Sequence, residues 1–267
     1  DPEPAATAKN VVVVGAGPAG LEAARVAAER GHSVTLYEKK GSVGGLLEFA
    51  NNVKGPHENL SVLRSYFERQ MEVLGVNVML NTEATADIIA EASPDIVIAA
   101  TGGVRDTLGL SDTAGTKVVG IDDFMMADIA EEVVIVGSNV QAIDAAMYLL
   151  AQGKHVQVVT PNAASAIGAG HSFWVKTFTQ PNMKALGVRF WPEATVTAVN
   201  DGSVTVKTAT GIEQEIACGT VVEALDCLPN DNLSTGLSCE VVTVGDAARP
   251  FNIGEAICSG NAAARAI

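Results

Sequence analysis

Positive charge is scarce in this 267-residue sequence: 17 lysines and arginines stand against 31 aspartates and glutamates, a formal net charge of −14. A nucleic-acid surface needs clustered Lys and Arg to displace counterions from phosphates, so that class is excluded. Long apolar runs are missing as well. Runs such as 96–100 and 133–136 fall far short of the roughly 18 residues that cross a bilayer, and no membrane partner is expected. A basic leader with an apolar core is also lacking; residues 1–9 read as a Pro/Ala linker, and a cytoplasmic location is expected. Cysteine is sparse. Cys218, Cys227, Cys239 and Cys258 are too scattered for a CxxC redox pair and badly spaced for a metal site, so no metal is expected and they read as small buried residues.

What is present is apolar: 48% hydrophobic and 18% charged residues suit a large core, and the length suits two α/β units. A strand, a Gly-rich turn and a helix occur twice, at 10–30 and at 132–152. Residues 11–14 form an unbroken β-branched run, as a strand buried on both faces requires, and 21–29 continue as an Ala-rich helix. With a second strand at 32–37 this makes a right-handed βαβ unit. Leu60, Leu63, Phe67, Met71 and Leu74 recur at helical spacing within 56–74, and Gly75 stops that helix. A strand at 76–80, a short helix at 86–92 and a buried strand at 95–100 follow. From residue 117 a second unit develops, with a strand at 133–136, a helix at 141–151, a strand at 155–160 and a helix near 176–186. Residues 194–199 and 203–208 alternate around Asn200-Asp201-Gly202, a hairpin signal. A buried strand at 221–225, another at 241–244 and a helix at 254–267 close the chain. The fold class expected is α/β, two Rossmann-like dinucleotide-binding domains with the second inserted into the first. Residues 1–104 and 238–267 form the outer domain and 105–237 the inserted one.

Gly15-Ala16-Gly17-Pro18-Ala19-Gly20 places glycines for a tight turn, for close approach to a pyrophosphate and for helix-to-strand packing. Glu38, at the end of the second strand, supplies a carboxylate for ribose hydroxyls. Gly44-Gly45, Ala100-Thr101-Gly102 and Gly245-Asp246 follow in order. With these the sequence resembles the two-dinucleotide flavoprotein reductases. The resemblance implies FAD, with Gly44 and Gly45 near the flavin and Asp246 at the ribityl and pyrophosphate region. It also brings Lys39, Leu46 and Thr85 into the candidate set. Residues 41–47, 59–74, 76–80 and 245–264 narrow the resemblance to the C-terminal part of old-yellow-enzyme-like iron–sulfur flavoproteins, such as 2,4-dienoyl-CoA reductase, enoate reductases and trimethylamine dehydrogenase. Members of that family carry an N-terminal barrel with FMN and a 4Fe-4S cluster. The resemblance therefore implies the nucleotide-binding portion of a larger oxidoreductase, with that barrel as partner. Just beyond Gly44-Gly45, where a dithiol reductase places its cysteines on the following helix, there are none, which disfavours disulfide exchange.

The second turn, Gly137-Ser138-Asn139-Val140-Gln141-Ala142, has Asn139 and Ala142 in place of glycines. Asn tolerates unusual backbone angles and Ala can pack a helix, so the turn can still form and hold NADH. Thr160 stands where an acid would favour NAD, and no Arg cluster follows to receive a 2′-phosphate. Asp144 reads as a ligand-side carboxylate or a solvated surface charge. His32, His57, His155 and His171 have no partners in sequence and read mainly as surface residues; Trp174 and Trp191 read as core; Arg249 reads as a phosphate contact or a surface pair. Hydride transfer from NADH to FAD needs no acid, base or nucleophile from the protein, which agrees with the lack of a catalytic constellation. A non-catalytic ADP-binding module and a free-standing ferredoxin-type reductase are the competing readings.

Overall fold

The computed structural model describes residues 2–55, 58–233 and 237–267, and the chain divides into two compact units, Asp1–Val104 with Cys227–Ile267 and Arg105–Asp226. Unit 1 begins with β1 (Asn10–Val14), α1 (Pro18–Glu29), β2 (Ser33–Tyr37), α2 (Leu47–Lys54), α3 (Leu60–Val73), β3 (Asn77–Met79), α4 (Ala86–Glu91) and β4 (Ile96–Ala99). β5 (Val104–Arg105) leads out of it. Unit 2 holds β6 (Lys117–Gly120), β7 (Glu132–Val136), α5 (Val140–Ala151), β8 (His155–Val159), α6 (Phe173–Ala185) and β9 (Arg189–Trp191). It continues with β10 (Ala194–Asn200), β11 (Ser203–Thr208), β12 (Glu213–Ala217) and β13 (Thr220–Glu223). β14 (Cys227–Leu228) leads back to β15 (Glu240–Thr243) and α7 (Ile253–Ala266).

In unit 1 five parallel strands lie in the order β15-β4-β1-β2-β3. The four valines of β1 explain its central place. Val11 and Val13 pack with Leu21 and Ala24 of α1, Phe67 and Met71 of α3 and Ala264 of α7, while Val12 and Val14 pack with Ile89 of α4 on the other face. A strand buried on both sides tolerates no polar alternation, so the uninterrupted run is the signal. From β1 the chain builds outward to β2 and β3 on one side and to β4 and β15 on the other. The crevice for a ligand therefore opens beyond the carboxyl ends of β1 and β4. Unit 2 repeats the plan as β6-β13-β7-β8-β9, with its crevice beyond β7 and β13. An antiparallel meander, β10-β11-β12, packs against that sheet through Val196, Val204, Val206 and Ile216.

Several features depart from the sequence pattern. The hairpin gains a third strand, β12, the short strands β5, β9 and β14 appear, and α2 precedes α3 at residues to which the pattern assigns no element; Pro56 and His57 between those helices lie outside the described residues. The return into unit 1 comes at Cys227, ahead of residue 238, because the segment after it is held by unit 1. Thr101 Oγ1 donates to Asn230 O at 3.0 Å, Asn230 N donates to Ala247 O at 3.0 Å, and Leu233 packs beside Val12 and Val97.

His32 is buried where α1 turns into β2 and is not the surface residue expected. Its Nδ1 accepts the Lys9 N–H at 3.1 Å, and its Nε2 is buried without a partner among the described residues. Burial, helped by the nearby cations Arg30 and Lys9, holds its pKa below the ordinary 6.5. The folded ring stays neutral while the unfolded ring takes a proton, so this stability is complete above the unfolded value and is lost as the pH falls through the folded one. The urea midpoint is expected to drop as the pH falls below the ordinary histidine value of 6.5, and His32→Asn should remove that part of the slope.

Candidate functional site

The turn between β1 and α1 is fixed at both strand ends: Gly15 N donates to Tyr37 O and Ala100 N to Val14 O, each at 2.8 Å. Gly15 has φ +100°, and a Cβ there would press on the Ala100 carbonyl. Gly17 takes the N-cap position of α1 with φ −75° and ψ 179°, no side chain caps that helix, and a Cβ at Gly17 would meet nothing within 4 Å. The start of α1 is therefore open, with its unpaired N–H groups and the positive end of the helix dipole available to an anion.

Four other segments converge on this turn. Glu38, buried at the end of β2, accepts from Ala16 N through Oε2 and from Lys40 N through Oε1, both at 2.8 Å. Gly44 N donates to Ala16 O at 2.8 Å, and the Cβ position of Gly45 lies 3.0 Å from Gly17 Cα. Ala100 backs Gly15 and Gly20, and the Cβ position of Gly245 lies 2.7 Å from Ala19 Cβ, bringing Asp246 to the first turn of α1. Pro18 occupies the first position of α1, where a missing N–H costs nothing. The candidates Gly15, Gly17, Pro18, Ala19, Gly20, Glu38, Gly44, Gly45, Ala100 and Gly245 thus share one neighbourhood. Leu46 is the N-cap of α2, Lys39 is exposed, and Thr85 caps α4 by accepting Ile88 N at 3.4 Å. Asp246 Oδ1 accepts Phe251 N at 3.3 Å, Gly102 continues from Thr101, and Arg249 is exposed.

The sequence reading passed over Asn230, whose Oδ1 is buried without a partner among the described residues beside the carbonyl that Thr101 holds. A Pro-Asn pair outside any periodic element gives no signal of this. Glu38→Ala is expected to cost about 1–3 kcal/mol in nucleotide-free protein, since the fully buried Ala16 N–H loses its acceptor. Urea denaturation of Glu38→Ala beside Glu38→Gln, which keeps an acceptor, measures it.

In unit 2, Gly137 to Gln141 line the turn between β7 and α5 as expected, but the side chains of Ser138, Asn139 and Gln141 already have protein partners. Asn139 Oδ1 accepts Ala142 N at 3.0 Å, and its Nδ2 donates to Ala224 O, Leu225 O and Asp226 Oδ1 at 3.0, 3.1 and 3.2 Å. Ser138 Oγ accepts from Asn162 Nδ2 at 3.0 Å. Gln141 Oε1 accepts from Arg105, whose other nitrogens fork onto Asp122 at 2.8 and 3.0 Å. Thr160 is fully buried, and its hydroxyl accepts Asn162 N at 3.2 Å. These residues do not fit a pyrophosphate laid on the start of α5.

Asp144 is not a solvated charge. It is buried and paired with the equally buried His171, Oδ1 to Nε2 at 3.2 Å, so that histidine is neither lone nor on the surface. His155 is exposed as expected but pairs with Glu132 at 2.6 Å, and that hydrogen bond raises its pKa. Trp191 lies against Arg189, 4.1 Å from guanidinium carbon to ring centre, and donates Nε1–H to Gln157 at 2.9 Å. The side chain of Trp174 lies outside the described residues. None of the four cysteines is in a disulfide, and burial pushes the Cys218 thiol up to about 11, so it stays protonated. Among the described residues no three His, Cys, Asp or Glu side chains are grouped to hold a metal ion, and no helix is long and apolar enough to cross a membrane.

Known proteins share this arrangement. A model of the pyridine nucleotide-disulphide oxidoreductase family matches residues 9–246. An NADH oxidase of Thermoanaerobacter brockii is 39% identical over 157 residues, 57% of this chain and 24% of that protein. A cinnamate reductase of Clostridium sporogenes is 38% identical over 153 residues, 57% of this chain and 23% of that protein. A solved 2-naphthoyl-CoA reductase superposes on the whole chain with a TM-score of 0.86 at 32% identity, using 41% of its own length. The match thus covers about a quarter of the length of these two curated relatives. These are the old-yellow-enzyme-like flavoprotein relatives the motifs led us to expect, and the family's ligands are FAD and NAD(P)H. Because the family match runs from the residue before β1 to the Gly245-Asp246 turn, taking in both βα turns, the chain belongs to the pyridine nucleotide-disulphide oxidoreductase family.

Proposed function

We propose that this chain is the FAD-holding part of a larger flavin-dependent oxidoreductase, coupled there to an FMN- and iron–sulfur-bearing barrel. The observation that carries the reading is the convergence of Glu38, Gly44-Gly45, Ala100 and Gly245 on one uncapped helix start. An anion at that start is favoured by the first-turn N–H groups and by the dipole. Glu38, already fixed by two backbone donors, has lone pairs left for ribose hydroxyls. Gly17 and Gly45 keep side-chain bulk away from the pyrophosphate path, and Asp246 closes the far side. FAD, when bound, supplies two-electron acceptance and one-electron release. The protein's share is to hold the dinucleotide still and exclude water. Disulfide exchange is not part of this reading, since the helix just after Gly44-Gly45 carries no cysteine and none of the four present is in a disulfide.

The capped second turn favours one further reading, a structural module that holds ADP in unit 1 without turnover. A visible spectrum of the purified chain, with chromatography of the nucleotide released on denaturation, separates the two. Flavin bands that bleach with dithionite, and FAD in the extract, support the proposal. ADP alone supports the structural module, and a chain that takes up neither nucleotide on addition overturns both.

A further inference from the structure

The two βα turns have the same backbone and opposite endings. Gly17 and Asn139 occupy equivalent N-cap positions, at φ −75°, ψ 179° and φ −72°, ψ −179°. Each follows a positive-φ glycine, Gly15 or Gly137, pressed against the first carbonyl after the neighbouring strand, Ala100 or Ala224. At Gly17 the space ahead of the helix is clear. At Asn139 a side chain fills it, and it does so as a helix cap: its Oδ1 takes the Ala142 N–H that an anion would use, and its Nδ2 is tied to Ala224, Leu225 and Asp226. A second closure lies over the first. The segment 167–171 is strapped to the turn by Gly168 N to Ser138 O at 2.6 Å, by a bridge between Ala169 and Asn139, and by the buried His171–Asp144 pair.

We propose that Asn139 is the residue that keeps a dinucleotide off unit 2: its amide takes the place of the pyrophosphate, and of the two βα turns the Gly15–Gly20 turn alone is left open to a dinucleotide. Cap and ligand compete for the same donors. A helix start offers a few N–H donors, and a side-chain oxygen two atoms from the backbone holds one at far higher effective concentration than a ligand can reach. Opening the cap would also strand the Asn139 amide and two strand-end carbonyls, a cost an arriving phosphate does not recover. Thr160 adds to the exclusion, because the carboxylate that would receive the ribose hydroxyls is absent from the end of β8. The inference rests on unit 2 alone and does not require FAD to be the ligand of unit 1.

Hydrogen–deuterium exchange of the full chain, with unit 1 saturated by FAD or ADP and with NADH added to millimolar level, tests it. In the wild type the amides of 137–142 should exchange at the same rate with and without NADH. In Asn139→Gly the same amides should become protected, with NADH binding at least about tenfold tighter by calorimetry. Protection of 137–142 in the wild type overturns the inference, as does a folded Asn139→Gly, judged by circular dichroism, that gains no binding there. If that variant does not fold, the wild-type measurement decides. Failure of the chain to take up flavin would sink the FAD proposal but would leave the 137–142 readout intact.

Discussion

Gly15→Ala is expected to lower the unfolding free energy by about 2–5 kcal/mol and to abolish nucleotide retention. Two costs add. An L-residue forced to a positive φ, here +100°, loses about 1–2 kcal/mol, and only glycine avoids it. The new methyl would also meet the Ala100 carbonyl inside the 3.0 Å that real Cβ atoms keep, and because that obstacle is backbone at the end of β4 it cannot rotate away, which costs about 1–3 kcal/mol more. Relief must come from moving the turn off β4, and that moves the start of α1 away from Glu38 and Gly44. Gly17→Ala is the control: its φ of −75° suits any residue and its Cβ position is open, so it should fold with a loss of about 1 kcal/mol or less. Its methyl nevertheless stands where the phosphates approach. Urea unfolding together with nucleotide content after desalting reads both variants, and a Gly17→Ala chain that keeps its nucleotide would remove the pyrophosphate from this turn.

The parts of this site that could be read from the sequence are those whose cause is local. Val11 to Val14, the glycines of the first turn and Glu38 lie within one βαβ unit, where strand period, turn chemistry and element length fix the geometry together. What could not be read depends on partners far along the chain. Asp144 meets His171 across 27 positions, and Thr101 holds Asn230 across 129, through packing that no spacing reports. The early return into unit 1 is hidden for the same reason, since residues 227–233 have no periodicity and are held by distant partners such as Thr101, Ala247 and Val12. Asn139 was a different kind of miss. Replacing a glycine by Asn suggests a demand for left-handed backbone, yet this position is extended in both turns and makes no such demand. What the glycine provides there is empty space, and Asn fills it with a cap.

The second large effect is expected far from the turn in sequence. Gly260→Ala should destabilise unit 1 by about 3 kcal/mol and weaken nucleotide binding, although no part of α7 is expected to touch a ligand. A Cβ at Gly260 would press on the Ala19 carbonyl, backbone against backbone, at the point where α7 crosses the first turn of α1. Around it α7 is tied in place: Asn261 Nδ2 donates to Glu22 at 2.7 Å, Arg30 donates to Ala264 O at 2.7 Å, and Ser259 Oγ accepts Gly245 N at 2.8 Å. These bonds keep the helix from shifting to admit a methyl, so the strain passes to the start of α1 and to the Gly245-Asp246 turn. Gly254→Ala, in the same helix with its Cβ position 3.4 Å from Asn252 Oδ1, should change stability by less than about 1 kcal/mol. Equal denaturation midpoints for the two variants would show that α7 does not set the position of α1. A lower midpoint for Gly260→Ala alone, with a weaker nucleotide dissociation constant, would make the C-terminal helix the clamp that holds the open helix start in register.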